Sequence, residues 1–281
     1  MKLAVTGGTG IAGRFIVAEA LAAGDDVTIL SRTPALGLRH IPYSLTGPAP
    51  DLSGFDAIVH AAFQHIPGRY RGGEGDDPAG FRAANLAGTL RLIEAAEAAR
   101  LSRFVFLSSR AVYGPKVPGE TLTEATPTAP NTLYGEVKKA AEDALTASSL
   151  PTVSLRATGI YGTGPANKWS ELFAAFAGGK EITPRIGSEV HGADLAAAVR
   201  LALTTLPAGT YNVSDILLDR HDLLKMWSET TGTNGTLPPP APSGFNEMDT
   251  TRLRAAGWQP GGQQRLLDTL KEIAGIRPDH E

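Results

Sequence analysis

The chain opens on an unbroken apolar run, Leu3-Ala4-Val5, which gives way at Thr6 to a glycine-rich turn. From Ile11 to Ala23 apolar residues then recur at helical spacing until Gly24. This pattern predicts a buried strand, a turn and an amphipathic helix, with Gly24 suited to a left-handed cap. Val27 to Leu30 reads as a second buried strand, and Ala57 to His60 as another after a polar, Pro-rich link. Farther on, an Ala-rich amphipathic stretch from Asn85 to Arg100 precedes the apolar run Phe104 to Leu107, and a second helix from Leu133 to Ala147 precedes Thr152 to Leu155. Strands alternating with helices predict an α/β fold built on a Rossmann-type, doubly wound parallel sheet.

After Tyr161 the pattern loosens into a Gly/Pro-bounded insertion near 162 to 190, resumes as a helix at Asp194 to Leu203 and a strand at Tyr211 to Val213, and then leaves the sheet again. Gly232 to Gly244, with Pro238-Pro239-Pro240 inside it, reads as a loop, and a short helix starts near Asp249 and stops before Gly257-Trp258. Residues 1–161 with about 191–214 are therefore expected to form a dinucleotide-binding domain. About 162–190 with 215–281 are expected to form a small, discontinuous C-terminal substrate lobe. A length of 281 residues suits one such enzyme-sized unit.

Composition narrows the partners. Hydrophobic residues at 42% and charged residues at 20% describe an ordinary globular chain. A net charge of -3 without a basic run gives no footprint for nucleic acid or an anionic membrane, so a small-molecule partner is expected. No stretch approaches the roughly 20 apolar residues of a membrane span, and the first apolar segment is too short for a secretory signal, so a cytoplasmic location is expected. There is no cysteine, which removes disulfides, thiol nucleophiles and Cys-ligated zinc. No clustered His/carboxylate pattern points to a metal either.

Thr6-Gly7-Gly8-Thr9-Gly10-Ile11-Ala12-Gly13 follows a strand and opens a helix, the context that makes a glycine pattern a dinucleotide fingerprint. Gly7 permits the tight turn, Gly10 lets backbone approach a pyrophosphate, and Gly13 lets helix and strand pack closely, while the helix start offers free N–H groups to the anion at Ile11. At the end of the second strand stands Ser31-Arg32, where a carboxylate would select NAD. Its absence, and the Arg, favour NADP over NAD. Tyr134 and Lys138 are four residues apart, hence on one helical face, where the ammonium stabilises the phenolate and readies the phenol to exchange protons. Ser108-Ser109 close the strand that ends at the crevice side of the sheet, where a serine can hydrogen-bond a substrate oxygen.

Taken with these residues, the chain resembles the extended short-chain dehydrogenase/reductase superfamily, in its NAD-dependent epimerase/dehydratase branch. The resemblance runs through the glycine turn, His60-Ala61-Ala62, Asn85 with Gly88-Thr89, and Ser108-Ser109 with Val112-Tyr113-Gly114. It continues through Glu124, Pro127 and Pro130 to Tyr134 and Lys138, then Arg156, Tyr161-Gly162, His191 with Asp194, Asn212-Val213, and Leu253 with Gly257-Trp258. It implies Tyr134 as acid/base, Lys138 as the group that lowers its pKa and holds the nicotinamide ribose, and Ser109 as anchor of the substrate oxygen. It also implies that Ala61 and Ala62 line the cofactor and that Ala157 and Thr158 fall near the nicotinamide. Family members often pair through the helices corresponding to 85–100 and 133–147, which makes a homodimer an expectation.

The resemblance narrows the reaction as well. Dehydratases of this family carry an Asp-Glu pair directly after the catalytic Ser or Thr, and Arg110-Ala111 stand there instead, leaving reduction, oxidation or epimerisation. Two positions that in nucleotide-sugar members carry Asn and Arg correspond to Gly159 and Gly187. A free sugar or other small hydroxy/carbonyl compound is therefore the leading expectation, with Gln64, His65, Asn167, Lys168 and Glu189 as polar pocket candidates. Arg185, Lys168 or Arg69 could restore contacts to a diphosphate, which keeps a nucleotide-sugar epimerase with tightly bound NAD as the alternative. A non-catalytic NADP-binding sensor is a third reading.

Overall fold

A computed structural model describes residues 1–66, 73–164 and 167–276. β1 (Lys2–Thr6), α1 (Gly13–Ala22) and β2 (Asp26–Ser31) lead to a short β3 (Arg39–Pro42) and to β4 (Ala57–His60). Next come α2 (Pro78–Arg82), one π-helical turn (Ala83–Ala87) and α3 (Gly88–Ala98), then β5 (Arg103–Ser109) and a 3-10 turn (Arg110–Tyr113). α4 (Leu133–Ala147), β6 (Thr152–Ala157), β7 (Gly159–Tyr161), α5 (Ser170–Ala177), β8 (Ile186–His191), α6 (Gly192–Thr204) and β9 (Gly209–Val213) follow. β10 (Ile216–Asp219), α7 (Arg220–Thr231), α8 (Thr251–Ala255) and α9 (Gly262–Ile273) complete the described chain.

Seven strands form one parallel sheet in the order β3-β2-β1-β4-β5-β6-β9. The order reverses between β1 and β4, which opens a crevice beyond the C-terminal ends of the strands. Because side chains alternate across a strand, Leu3 and Val5 join one core with Ile16, Val17, Leu195 and Val199 from α1 and α6. Ala4 between them joins the opposite core, with Leu92, Ile93, Ala141 and Leu145 from α3 and α4. Both faces are thus covered, and the strands read as continuous apolar runs for that reason. A smaller sheet, β10-β8-β7, pairs β10 antiparallel and β7 parallel to β8. It sits with an apolar cluster of its own that includes Trp169, Phe173, Leu224, Leu266 and Leu270.

The helix expected from Asn85 is entered at Pro78, because Asp77 accepts the Gly80 N–H at 2.8 Å as N-cap and proline occupies the first turn. Gly80 and Arg82 interrupt the apolar spacing there and hide the start. α1 begins at Gly13 rather than Ile11, and Gly24 takes φ +79 as its cap requires. β3 lies at the sheet edge with no buried residue, so it carries no apolar signal. β8 and α5 fall inside the segment expected to be loose, where short elements are flanked by Gly and Pro. Among the described residues no helix is long and apolar enough to cross a membrane.

The C-terminal segment is fastened to α6 by polar contacts around a buried indole. Trp258 Nε1 donates to the Asp194 carbonyl at 2.8 Å, and the Asp194 carboxylate accepts the Gly261 N–H at 3.2 Å and faces Arg265 at 3.3 Å. Replacing Trp258 by Ala removes both the core volume and this donor. Urea denaturation of that variant is expected to show a loss of about 3–5 kcal/mol. A loss within the range of an ordinary surface substitution would mean that the segment is held elsewhere.

Candidate active site

The glycine turn is built by close approach. Gly7 adopts φ +68, and a Cβ there would stand 2.6 Å from the Ala62 nitrogen; a Cβ at Gly13 would stand 2.0 Å from the Gly7 oxygen. Gly10, whose N–H returns to the Gly7 oxygen at 3.0 Å, is exposed at the mouth of α1 with Ile11 beside it. Among the described residues no side-chain atom would lie within 4 Å of a Cβ at Gly10, which leaves this helix start open to an anion. Gly8 serves packing, since a Cβ there would meet the Ile29 side chain at 2.8 Å.

A buried relay fixes the next stretch of the crevice wall. Ala62 donates to Thr6 Oγ1 at 3.1 Å, Thr6 Oγ1 lies 2.7 Å from His60 Nδ1, and His60 Nε2 lies 2.9 Å from Thr89 Oγ1. Thr89 Oγ1 donates its proton to the Asn85 carbonyl at 2.6 Å, so His60 Nε2 donates to Thr89, and Nδ1 is left to accept from Thr6 when the ring carries one proton. That is the neutral imidazole. Burial, assisted by the charge of Lys138, indeed pulls the His60 pKa down to about 3. Asn85 in turn accepts the Gln64 N–H at 2.7 Å and donates to the Gln64 carbonyl at 2.8 Å. His60, Asn85 and Thr89 thus hold the backbone of 61–64.

Ser109, Tyr134 and Lys138 come from β5 and α4. Ser109 ends β5, caps the 3-10 turn by accepting the Ala111 N–H at 3.2 Å, and lies in register with Ala157 at the end of β6. Thr158 continues from there, its N–H bound to the Val213 carbonyl at 3.1 Å. Thr132 caps α4 through the Gly135 N–H at 3.1 Å, which places Tyr134 in the first turn. Gly135 is needed for the approach, because a Cβ would stand 2.6 Å from the Ala111 oxygen. Lys138 is buried, donates to the Leu107 carbonyl at 2.6 Å, and lies 4.4 Å from the Phe63 ring centre and 4.7 Å from that of Phe106. The Tyr134 ring meets Phe63 edge-on at 5.0 Å and stands 5.9 Å from the ammonium. Burial pulls the Lys138 pKa down to about 7, against the charge of Glu142, which raises it.

Glu142, one turn beyond Lys138, is the buried counterion of this region. It pairs with Arg156 at 2.7 Å and accepts from Ser108 at 2.5 Å. Arg156 also donates to Tyr113 Oη at 2.9 Å, and Tyr113 lies 2.7 Å from Asn212 Oδ1. Burial would lower the Arg156 pKa, but the bonds and charge of Glu142, with Tyr113, outweigh it and hold it above its ordinary value. Several residues that carry the resemblance therefore form one network joining β5, α4, β6 and β9. Sequence reasoning did not single out Glu142, Phe63, Phe106 or Gly135. The i+4 spacing of Lys138 and Glu142 was the available signal for the first of them.

Elsewhere Ser31 points its hydroxyl at the Thr33 carbonyl at 2.7 Å, and exposed Arg32 lines an open groove of about 320 Å³ with Tyr43, Ser44 and Gly47. Lys168 and Glu189 form an ion pair over Gly159, where a Cβ would stand 2.3 Å from Glu189 Oε2 and 2.8 Å from Lys168 Nζ. An added Cβ at Gly187 would meet nothing within 4 Å. Asn167 accepts the Trp169 N–H at 3.0 Å, and the His65 ring faces Phe63 at 6.3 Å. Arg185 is exposed; Arg69 lies outside the described residues. Arg110 reaches away from β5, donating to the Asn246 carbonyl at 2.7 Å and stacking over Phe245 at 4.5 Å.

Two variants test these electrostatics. Glu142→Gln leaves Arg156 without its counterion and is expected to cost about 3–5 kcal/mol in chemical denaturation. Lys138 releases its proton at about 7 in the fold and near 10.5 in the unfolded chain. Its burial therefore weighs against the fold fully below the lower value, and the penalty fades as pH rises between the two. Lys138→Met is expected to melt above the parent at about pH 6, with a difference that shrinks towards about pH 10. A pH-independent difference would show that the ammonium is not desolvated.

The model of the NAD dependent epimerase/dehydratase family matches residues 3–214. The dTDP-6-deoxy-L-talose 4-dehydrogenase (NAD(P)(+)) of Kitasatospora kifunensis is 30% identical, over 97% of this chain and 94% of its own. The UDP-glucose 4-epimerase of Lacticaseibacillus casei is also 30% identical, over 98% of this chain and 96% of its own. Among solved structures, the UDP-glucose 4-epimerase of Thermus thermophilus in complex with NAD is 27% identical and superposes with a TM-score of 0.78, covering 99% of this chain and all of that one (100%). The glycine turn, the crevice it opens onto and these likenesses agree, and the chain belongs to the NAD dependent epimerase/dehydratase family as an NAD(P)-dependent enzyme.

Proposed function

We propose that this protein is a nucleoside-diphosphate-sugar 4-epimerase, which oxidises the C4 hydroxyl of a bound hexose and reduces the ketone from its other face. The observation that carries the reading is the buried Lys138 ammonium beneath the Tyr134 ring, at the crevice end of β5 beside Ser109. The two relatives that span nearly the whole chain bear names that place their chemistry at position 4 of a nucleotide sugar, which supports this substrate class over the free sugar expected from Gly159 and Gly187. Residues 1–161 with about 191–214 hold the dinucleotide in this reading, and 162–190 with 215–281 hold the sugar nucleotide.

NAD(P), when bound, supplies the hydride acceptor and donor. Tyr134 takes the proton from the sugar hydroxyl during oxidation and returns it during reduction. Lys138 stabilises the phenolate and holds the nicotinamide ribose. Ser109 hydrogen-bonds the same sugar oxygen; Ser108 cannot take that part because Glu142 holds its hydroxyl. Ala61, Ala62, Ala157 and Thr158 flank the dinucleotide with small side chains, and Gly7, Gly10, Ile11 and Gly13 cradle its phosphates. Ser31 and Arg32 receive the adenosine ribose. Among the described residues no carboxylate lines the groove beside Arg32, which supports acceptance of the 2′-phosphate of NADP.

Nucleotide released by denaturing freshly purified protein, together with turnover of UDP-glucose followed by product chromatography, tests the reading. The expected result is a stoichiometric dinucleotide and UDP-galactose formed without net nicotinamide reduction. Net reduction with exchangeable cofactor would replace epimerase by dehydrogenase, and release of NAD alone would remove the role given to Arg32. Tyr134→Phe is expected to lower kcat by about 10²- to 10⁴-fold with the dinucleotide retained. Unchanged turnover in that variant would overturn the mechanism.

A further inference from the structure

Arg14 is the second residue of α1, its N–H bound to the Gly10 carbonyl at 3.2 Å. It lies one turn after Ile11 on the same face, and helical side chains lean towards the N-terminus, the end at which the glycine turn lies. Its guanidinium stacks on Phe15 at 4.6 Å, and a Cβ on Gly164 would stand 1.9 Å from one terminal nitrogen. Phe15 itself is wedged between Gly162 and Gly192, where an added Cβ would meet its ring at 2.5 and 2.0 Å. The cation is thus clamped between the start of α1 and the loop after β7.

What this cation lacks is an anion. Nε and Nη2 of Arg14 are buried without a hydrogen-bond partner, and among the described residues no carboxylate pairs with it. By contrast, Arg156 pairs with Glu142, Arg200 with Asp25 and Arg265 with Asp194. Burial pulls the Arg14 pKa down, and its charge is one of the causes, after burial and Arg265, that lower His191 to about 4. A partly desolvated, uncompensated charge disfavours the fold, and a ligand that supplies the counterion recovers the loss.

We propose that Arg14 is a pyrophosphate-binding residue, left without a counterion in the ligand-free fold and completed by the phosphates of the dinucleotide. The proposal rests on the glycine turn as the dinucleotide site and is independent of the sugar specificity. Because Arg14 also touches the loop at Gly164, the same contact ties cofactor binding to the position of that loop.

Arg14→Met in the full chain, freed of copurifying nucleotide, provides the test, with ADP-ribose and adenosine as titrants. ADP-ribose is expected to bind about 10- to 100-fold more weakly than to the parent, as loss of a charge-assisted contact implies, while adenosine binds equally. The ligand-free variant is expected to melt at or above the parent, and Arg14→Lys to recover part of the affinity. Unchanged ADP-ribose binding, an equal loss for adenosine, or a ligand-free variant that melts well below the parent would each overturn the proposal. If the parent binds no ADP-ribose, the dinucleotide site itself fails, which is a different result.

Discussion

One buried carboxylate ties the sheet to the chemistry. Glu142 meets Arg156 and Ser108 within hydrogen-bonding distance and sits one helical turn from Lys138. Three elements are locked by that contact, since Glu142 comes from α4, Ser108 from β5 and Arg156 from β6. Its position also sets the potential at the ammonium next to it, partly offsetting the desolvation that frees the Lys138 proton. The pair with Arg156 is enclosed, with side-chain exposures of 4% and 7%, so neither charge can be satisfied by water when the other is lost. The orientation of α4, and with it Tyr134, follows from satisfying this pair.

The buried parallel strands and the long helices were legible because burial writes itself into composition: Ala57–His60 and Leu133–Ala147 fall where the apolar pattern puts them. The glycine turn was legible because its spacing is dictated by contacts as short as that between Gly13 and the Gly7 oxygen. Elements that depend on partners distant in sequence were not. β3 is only half-buried and four residues long, and β8 and β10 pair with each other across an intervening helix and strand. At the site, the candidate residues were readable as types, but their surroundings were not. That Lys138 is enclosed by Phe63 and Phe106, or that Lys168 and Glu189 fill the space over Gly159, depends on packing between segments that share no local pattern.

Lys138 and Arg14 show one design used twice. Each is a cation held partly out of water near the crevice, and each is disfavoured in the ligand-free fold. The local cost of each is borne by the cores on the two faces of the sheet. His60 shows the opposite treatment: its protons are all assigned within the relay, so it serves as a fixed strut.

The π-helical turn at Ala83–Ala87 acts as a phase shifter in an otherwise regular helix. It accommodates one more residue than a regular turn does, so everything after it, including Thr89, is rotated relative to everything before it. Asn85, within that turn, bonds the Phe81 carbonyl and the 61–64 segment at once. Deleting one residue here would shorten the helix by only about 1.5 Å, yet would rotate Thr89 and the rest of α3 relative to Phe81 and the 61–64 segment. The 61–64 wall of the crevice is in this sense indexed by residue count, and variation in chain length is far less tolerable at this turn than in the exposed loops.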